Sequence, residues 1–154
     1  MQIKYNEIIP KFSYNDIKRE LKVPKYLTKS LAEEMGIHLG DGSLGIYRNK
    51  FAINSYLKYA YHIAGSYDDE EYFRLFVIPL MKELYNIRSH FYKSNKEKLI
   101  ALSYQSKGLL YFKNSIGLPI GKKIDINIPK LILNSEFKLD FIRGLFDTDG
   151  CLTF

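Results

Sequence analysis

The sequence predicts an α+β fold: a helix–hairpin–helix–hairpin–helix unit with a curved antiparallel sheet, followed by the opening helix of a second copy. Three observations carry that reading. Two helix-forming runs, LAEEMGIHLGDGSLG at 31–45 and LDFIRGLFDTDGCLTF at 139–154, each break at an Asp-Gly. Two aromatic and Ile-rich segments, 43–66 and 88–105, carry turn residues at their middles. An amphipathic stretch of helical period, 68–87, separates them. At 154 residues and 46% hydrophobic composition, the chain can bury one real core.

The first 27 residues are polar, contain Pro10 and Pro24, and hold a short helix around 14–21; they form an N-terminal extension. Ser30 and Glu33 have capping-box spacing, and Leu31, Met35 and Leu39 recur at helical intervals, which predicts a helix over 29–40. Gly40 and Gly42 end it and leave Asp41 at the negative end of the helix dipole. A carboxylate there needs water or a positive neighbour. The segments LGIY, KFAINSYL and YAYHIAG read as strands around an Arg48-Asn49-Lys50 turn. In DDEEYFRLFVIPLMKELYNI the acids come first, where they suit a helix N-terminus. Tyr72, Leu75, Phe76 and Leu80 face inward, and Pro79 is a kink point. SHFYKS and KLIALSYQ form a second hairpin across Asn95-Lys96. SKGLLYFKNSIG is a helix ended by Gly117, and 118–134 connects onward with a helical turn after Pro129. The last helix starts near Ser135 and ends within 147–150.

A shift of 108 residues superposes Leu31 on Leu139, Gly36 on Gly144, Asp41 on Asp149, Gly42 on Gly150 and Leu44 on Leu152. The chain therefore divides into the extension 1–27, a first repeat 28–134, and the first helix of a second repeat at 135–154. Gly36 and Gly40 lie on one side of the first helix, as Gly144 and Thr148 do on the other; small residues four apart permit close helix contact. The competing reading is two unrelated helices that both end in a common turn dipeptide. If the helices pack together in parallel, Asp41 and Asp149 arrive side by side and repel. A divalent cation such as Mg²⁺ removes that cost, taking a couple of carboxylates plus waters and phosphate oxygens. Placed against nucleic acid, it would serve phosphodiester hydrolysis.

Net charge is +6, and its distribution is uneven. Residues 42–67 hold three basic side chains (Arg48, Lys50, Lys58) and no acid; residues 86–123 hold eight and one acid, Glu97. Thirteen tyrosines are interleaved with these stretches, a pattern that suits nucleic acid, the alternative being a solvated basic face. No apolar run approaches the roughly 18 residues of a membrane span, so no membrane partner is expected. The charged N-terminus has no apolar signal core. Cys151 stands alone, no Cys/His cluster has zinc-site spacing, and a reducing cytoplasm fits.

LAEEMGIHLGDGSL and FIRGLFDTDGCL, with SYDDEEYF between them and IGLPIGKKIDINIPKLILNS before the second, resemble the two motifs of a LAGLIDADG homing endonuclease. The likeness runs from about Pro24 to the end. It implies an αββαββα repeat, motif helices at the interface between repeats, and β-ribbons in the major groove of double-stranded DNA. It implies site-specific, divalent-metal-dependent cleavage, with Asp41 and Asp149 as metal ligands and Lys123, supported by Lys122, near the scissile phosphate. The DNA-facing set is then Tyr47, Arg48, Lys50, Asn54, Lys58, His62, Arg88, His90, Tyr92, Lys93, Lys96 and Lys98. Two departures matter. The chain stops four residues after Gly150, so half of the DNA surface is encoded; a truncated or fragmentary protein is expected, completed by a C-terminal half or a second chain. Leu39 and Gly40 stand where the second motif has Asp147 and Thr148, which leaves Asp147 as a supporting residue. Intein splicing is not expected, because the chain starts with Met and lacks a terminal His-Asn and nucleophile. A DNA-binding regulator that does not cleave is the alternative. LFDTDGCL also resembles the nucleophile loop of haloacid-dehalogenase phosphatases, but no domain follows it.

Overall fold

The computed structural model describes residues 12–48, 50 and 56–149, the last by its backbone alone. Asn54, Gly150, Cys151 and Leu152, and most of the KFAINSYL segment, lie outside the described residues. The element order follows the expected one. Helix α1 (Tyr14–Lys18) is shorter than expected because Glu20 takes a left-handed φ of 56° and turns the chain. Its N-terminal Ser13 and Asp16 cap each other reciprocally. The buried Asp16 carboxylate also accepts from Ser106 Oγ (2.7 Å) and Gly108 N (3.0 Å), which ties the extension to the start of a later helix.

Helix α2 (Lys29–Gly40) is capped by Thr28, whose hydroxyl accepts from Leu31 N at 3.2 Å, and not by Ser30. The helix begins two residues earlier than the Ser30 box requires, so Glu33 is free to pair elsewhere. Every residue from Leu31 through Leu39 is buried, because α2 is covered on several sides. One cover is a four-stranded antiparallel sheet of order β1-β2-β4-β3, formed by β1 (Gly42–Arg48), β2 (Leu57–Ser66), β3 (His90–Ser94) and β4 (Leu99–Gln105). Its inner face sends Leu44, Tyr61, Ile63, Ile100, Leu102 and Tyr104 into the core.

Between the hairpins the chain is one continuous helical run: a 3₁₀ turn (Tyr67–Asp69), α3 (Glu70–Tyr72), a π turn (Phe73–Val77) and α4 (Ile78–Tyr85). Ser66 and Asp69 form its capping box. Pro79 has no N–H and would clash with the carbonyl four residues back; the π turn beside it accommodates this without breaking the run. The widened turn also shifts the inward face. Phe73, Val77, Leu80 and Met81 are buried, Tyr72 and Phe76 partly so, and Leu75 points out at 70% exposure, against the sequence expectation. Helix α5 (Lys107–Ser115) follows with Ser106 as its cap, then α6 (Lys130–Leu133) after Pro129, and α7 (Lys138–Asp149).

Candidate active site and nucleic-acid face

The second motif helix α7 lies directly against the first. A methyl group added to Gly36 would meet the Phe141 carbonyl and, at 2.7 Å, Leu145 N. One added to Gly144 would meet the Glu33 carbonyl and, at 3.0 Å, Ile37 N. The two backbones therefore touch, and only glycine at both positions allows it. Thr148 folds its hydroxyl back onto the Gly144 and Leu145 carbonyls at 3.1 Å, which hides its polar group at the small-residue position. Gly40 is half-buried one turn beyond Gly36. A bidentate pair secures the crossing: Arg143 Nε and Nη2 donate to Glu33 Oε1 and Oε2, each at 2.7 Å. Arg143 also reaches Asp140 at 3.2 Å.

Beyond the crossing, α2 ends at Gly40 with Asp41 as its C-terminal cap, and α7 ends at Asp149. Each acid stands five residues past its crossing glycine. The positive neighbour that Asp41's position demanded is Lys123. Its Nζ donates to the carbonyls of His38 (3.1 Å), Leu39 (2.9 Å) and Gly40 (2.6 Å), neutralising the helix end. Lys122, next to it, is exposed.

Sequence reasoning missed the Tyr72 hydroxyl in this place. It is buried and has no hydrogen-bond partner among the described residues. Its pKa is pushed well up by burial first, then by the charges of Asp147, Glu33 and Asp41. Asp41 after α2 and Asp147 of α7 thus both contribute to the shift of one tyrosine. Asp147 is itself shifted up by desolvation and by Glu33, against the pull of Arg143. Among the described residues no three acids, histidines or cysteines cluster closely enough to hold a metal ion alone. The orphaned Tyr72 hydroxyl marks a buried polar place whose field includes Asp41 and Asp147, and Mg²⁺ needs only one or two protein carboxylates beside water and phosphate. The Asp149 side chain lies outside the described residues, so its pairing with Asp41 stands as an expectation.

The sheet turns its other face away from the helices. Register places Ser43, His62, Ser103 and His90 in one row across all four strands, and Ala64, Ala101 and Tyr92 in another. Tyr47 lies opposite Lys58 on this outer face, and its ring meets His62 edge-on at 6.2 Å. Tyr47 and Tyr92 are each about half exposed, at 50% and 51%. Partial burial lowers the His62 pKa. Lys96 and Lys98 occupy the exposed β3–β4 turn, with Lys98 at a left-handed φ of 50°. Arg88 precedes His90 by two residues and is exposed, as is Lys50 in the β1–β2 connection. Two of the expected set face otherwise. Arg48 shares the inner parity of Leu44 and Ile46, though it is exposed at the strand end. Lys93 corrects the expectation more clearly: it shares a face with Phe91, pairs with Glu70 at 2.6 Å, and sits over the Tyr67 ring at 4.5 Å. Strand alternation puts every second residue on the helix side, and Lys93 is one of them.

A second polar group in the core also escaped the sequence reading. Glu34 is 1% exposed and accepts from Lys113 Nζ at both oxygens, from Tyr61 Oη (3.0 Å) and from Tyr85 Oη (2.9 Å). Burial lowers the Lys113 pKa, and Glu34 opposes that shift. One turn on, His38 is fully buried, stacks on Tyr61 (5.0 Å, 11°), and has no partner for either ring nitrogen among the described residues. The wrong signal dominated here, because charged residues on a helix normally mark its solvent face.

No protein-family model matches the chain, and no curated protein does. Solved structures do. A structure of I-DmoI in complex with DNA and Mn is 24% identical with a TM-score of 0.51, covering 78% of this chain and 61% of that one. Structures of mesophilic variants of the homing endonuclease I-DmoI give 23% and 0.51, with 78% and 60% covered. The I-LtrWI LAGLIDADG homing endonuclease bound to target DNA is more distant, at 10% identity, a TM-score of 0.48, and 78% and 57% covered. The chain spans about 60% of the length of the I-DmoI chains it matches. No described helix is long and apolar enough to cross a membrane. With its four-stranded antiparallel sheet and two helices crossing at glycines, this chain has the fold of the homing endonuclease I-DmoI.

Proposed function

We propose that this chain binds double-stranded DNA on the outer face of its sheet and belongs to a divalent-metal-dependent DNA endonuclease of the homing type. The observation that carries the reading is the backbone contact at Gly36 and Gly144, each five residues before the aspartate that ends its helix. A structural helix pair has no need to gather carboxylates at its dipole-negative ends. Asp41 and Asp149 would hold the cation, whose Lewis acidity serves phosphodiester hydrolysis when bound. Lys123 would set a positive field beside the phosphate, and Arg143 would fix Glu33 away from the cation. Residues 28–134 would be one repeat and 135–154 the start of another, with further polypeptide completing the DNA surface.

One observation favours the reading without cleavage: Lys123 already donates to three helix carbonyls, which a purely structural cap explains. Duplex binding across a salt series, with and without Mg²⁺, separates the possibilities. Salt-sensitive binding, with Mg²⁺-dependent nicking that Asp41→Asn abolishes while affinity holds, supports the endonuclease. Binding without nicking assigns the regulator role to this chain, and no duplex binding at low salt refutes both.

A further inference from the structure

Arg19, in the N-terminal extension, joins two clefts at one end of the sheet. The first, about 240 Å³, is lined by Arg19, Lys58 and Lys107 with Tyr56 and Tyr59. The second, about 430 Å³, is lined by Arg19, Lys82, Asn86 and Arg88. Neither lining contains an acid among the described residues. The Arg19 guanidinium is held in place, with Nε donating to the Asn15 carbonyl (2.9 Å) and Nη1 to the Gln105 carbonyl (2.8 Å). Asp16 lies 3.8 Å from its Nη2, but that carboxylate is buried and accepts from Ser13, Ser106 and Gly108. Asn86 has a left-handed φ of 52° and donates to the Arg19 and Glu20 carbonyls, fastening the extension to α4.

Topology makes these cations a rim. β2 begins at Leu57, opposite Arg48 where β1 ends; β4 ends at Gln105, opposite Ala60; β3 begins at His90. Lys58, Lys107 and Arg88 therefore gather at the sheet end remote from Asp41, which precedes Gly42 at the other end of β1. The length of β1 separates the two ends by roughly 20 Å.

We propose that this rim grips the phosphodiester backbone of a duplex that runs past the sheet, which makes residues 12–27 part of the DNA-binding surface. The proposal rests on the reading that the outer face meets DNA. Fixed guanidinium and ammonium groups in open clefts suit phosphate oxygens and carry no base specificity.

The test is duplex binding by Lys82→Gln/Lys107→Gln, with folding checked by denaturant melts because Lys82 Nζ donates to Asn86 Oδ1 and Lys107 lies over the Tyr59 ring, beside Tyr47→Ala/His90→Ala on the outer face. The rim variant should bind with a salt slope shallower by roughly 1–2, at about 0.9 for each phosphate that is no longer neutralised. Base preference should not change, and shortening the duplex at the end remote from Asp41 should weaken wild type more than the variant. An unchanged slope and length dependence, with affinity reduced only in the outer-face variant, overturns the rim and leaves the face intact. A shallower slope with the outer-face variant unaffected supports the rim and overturns the face reading. No duplex binding by wild type overturns both.

Discussion

Replacing His38 by Phe, the residue that the 108-residue repeat places at the same point of the second helix, should change how stability depends on pH. His38 is 0% exposed, stacks on Tyr61, and faces two cations, Lys113 from α5 and Lys123 from the loop before α6. Glu34 is the acid one turn away, and its charge is taken up by Lys113. Burial first, then Lys113 and Lys123, hold the His38 pKa well below its usual value of 6.5. The sign follows from proton counting. Below the unfolded pKa the unfolded chain binds a proton that the native state refuses, so stability is full above that value and falls as pH drops. Between pH 7.5 and 5.5 the native state should lose about 1.4 kcal/mol on this account, from an unfolded His pKa of about 6.5. In a chain of this size that is a melting shift of roughly 3–6 °C. Urea denaturation at both pH values reads it as a difference between wild type and variant, since other groups titrate equally in each. If His38→Phe keeps the wild-type pH dependence, the imidazole is solvated or paired in the folded state and the reasoning fails.

Lys113→Met should cost about 3–5 kcal/mol by stranding the Glu34 carboxylate in the core, and adding Glu34→Gln should recover part of it in denaturant melts. Gly144→Ala should cost about 1–3 kcal/mol, because its new methyl meets the Glu33 carbonyl; an unchanged midpoint would mean the helices stand further apart. Lys123→Met should lower stability by about 1–2 kcal/mol through loss of the α2 cap. In an active form of the protein it should also reduce cleavage by a larger factor than it weakens DNA affinity, while equal loss of both would assign Lys123 to binding alone.

The element order, the two hairpins and the crossing glycines were legible because each rests on local signals: turn residues, alternation, and a repeat that doubles a weak motif. Leu75 was misjudged because a π turn shifts the inward face by about one position, and periodicity counts assume an unbroken 3.6-residue turn. Lys93 was misjudged because composition reports a basic strand but not its register. Ser30 looked like a cap because two candidate hydroxyls lie two residues apart, and only the backbone decides between them. The Glu34–Lys113 pair lies 79 positions apart in the chain, so no window could have joined its members. Lys123 was expected near the site from resemblance alone; that it caps α2 could not be read from a loop of lysines.

Manganese broadening of backbone amide resonances in the isotope-labelled chain tests the shared helix ends most directly, since it needs neither DNA nor turnover. Amides at Asp41 and Gly42 should broaden at the same low Mn²⁺ concentration as those at Thr148 and Asp149, and Asp41→Asn should raise the concentration needed at both. Broadening confined to one helix end, or to the acidic run at 68–71, or left unchanged at Asp149 by Asp41→Asn, would contradict a metal held between the two helices.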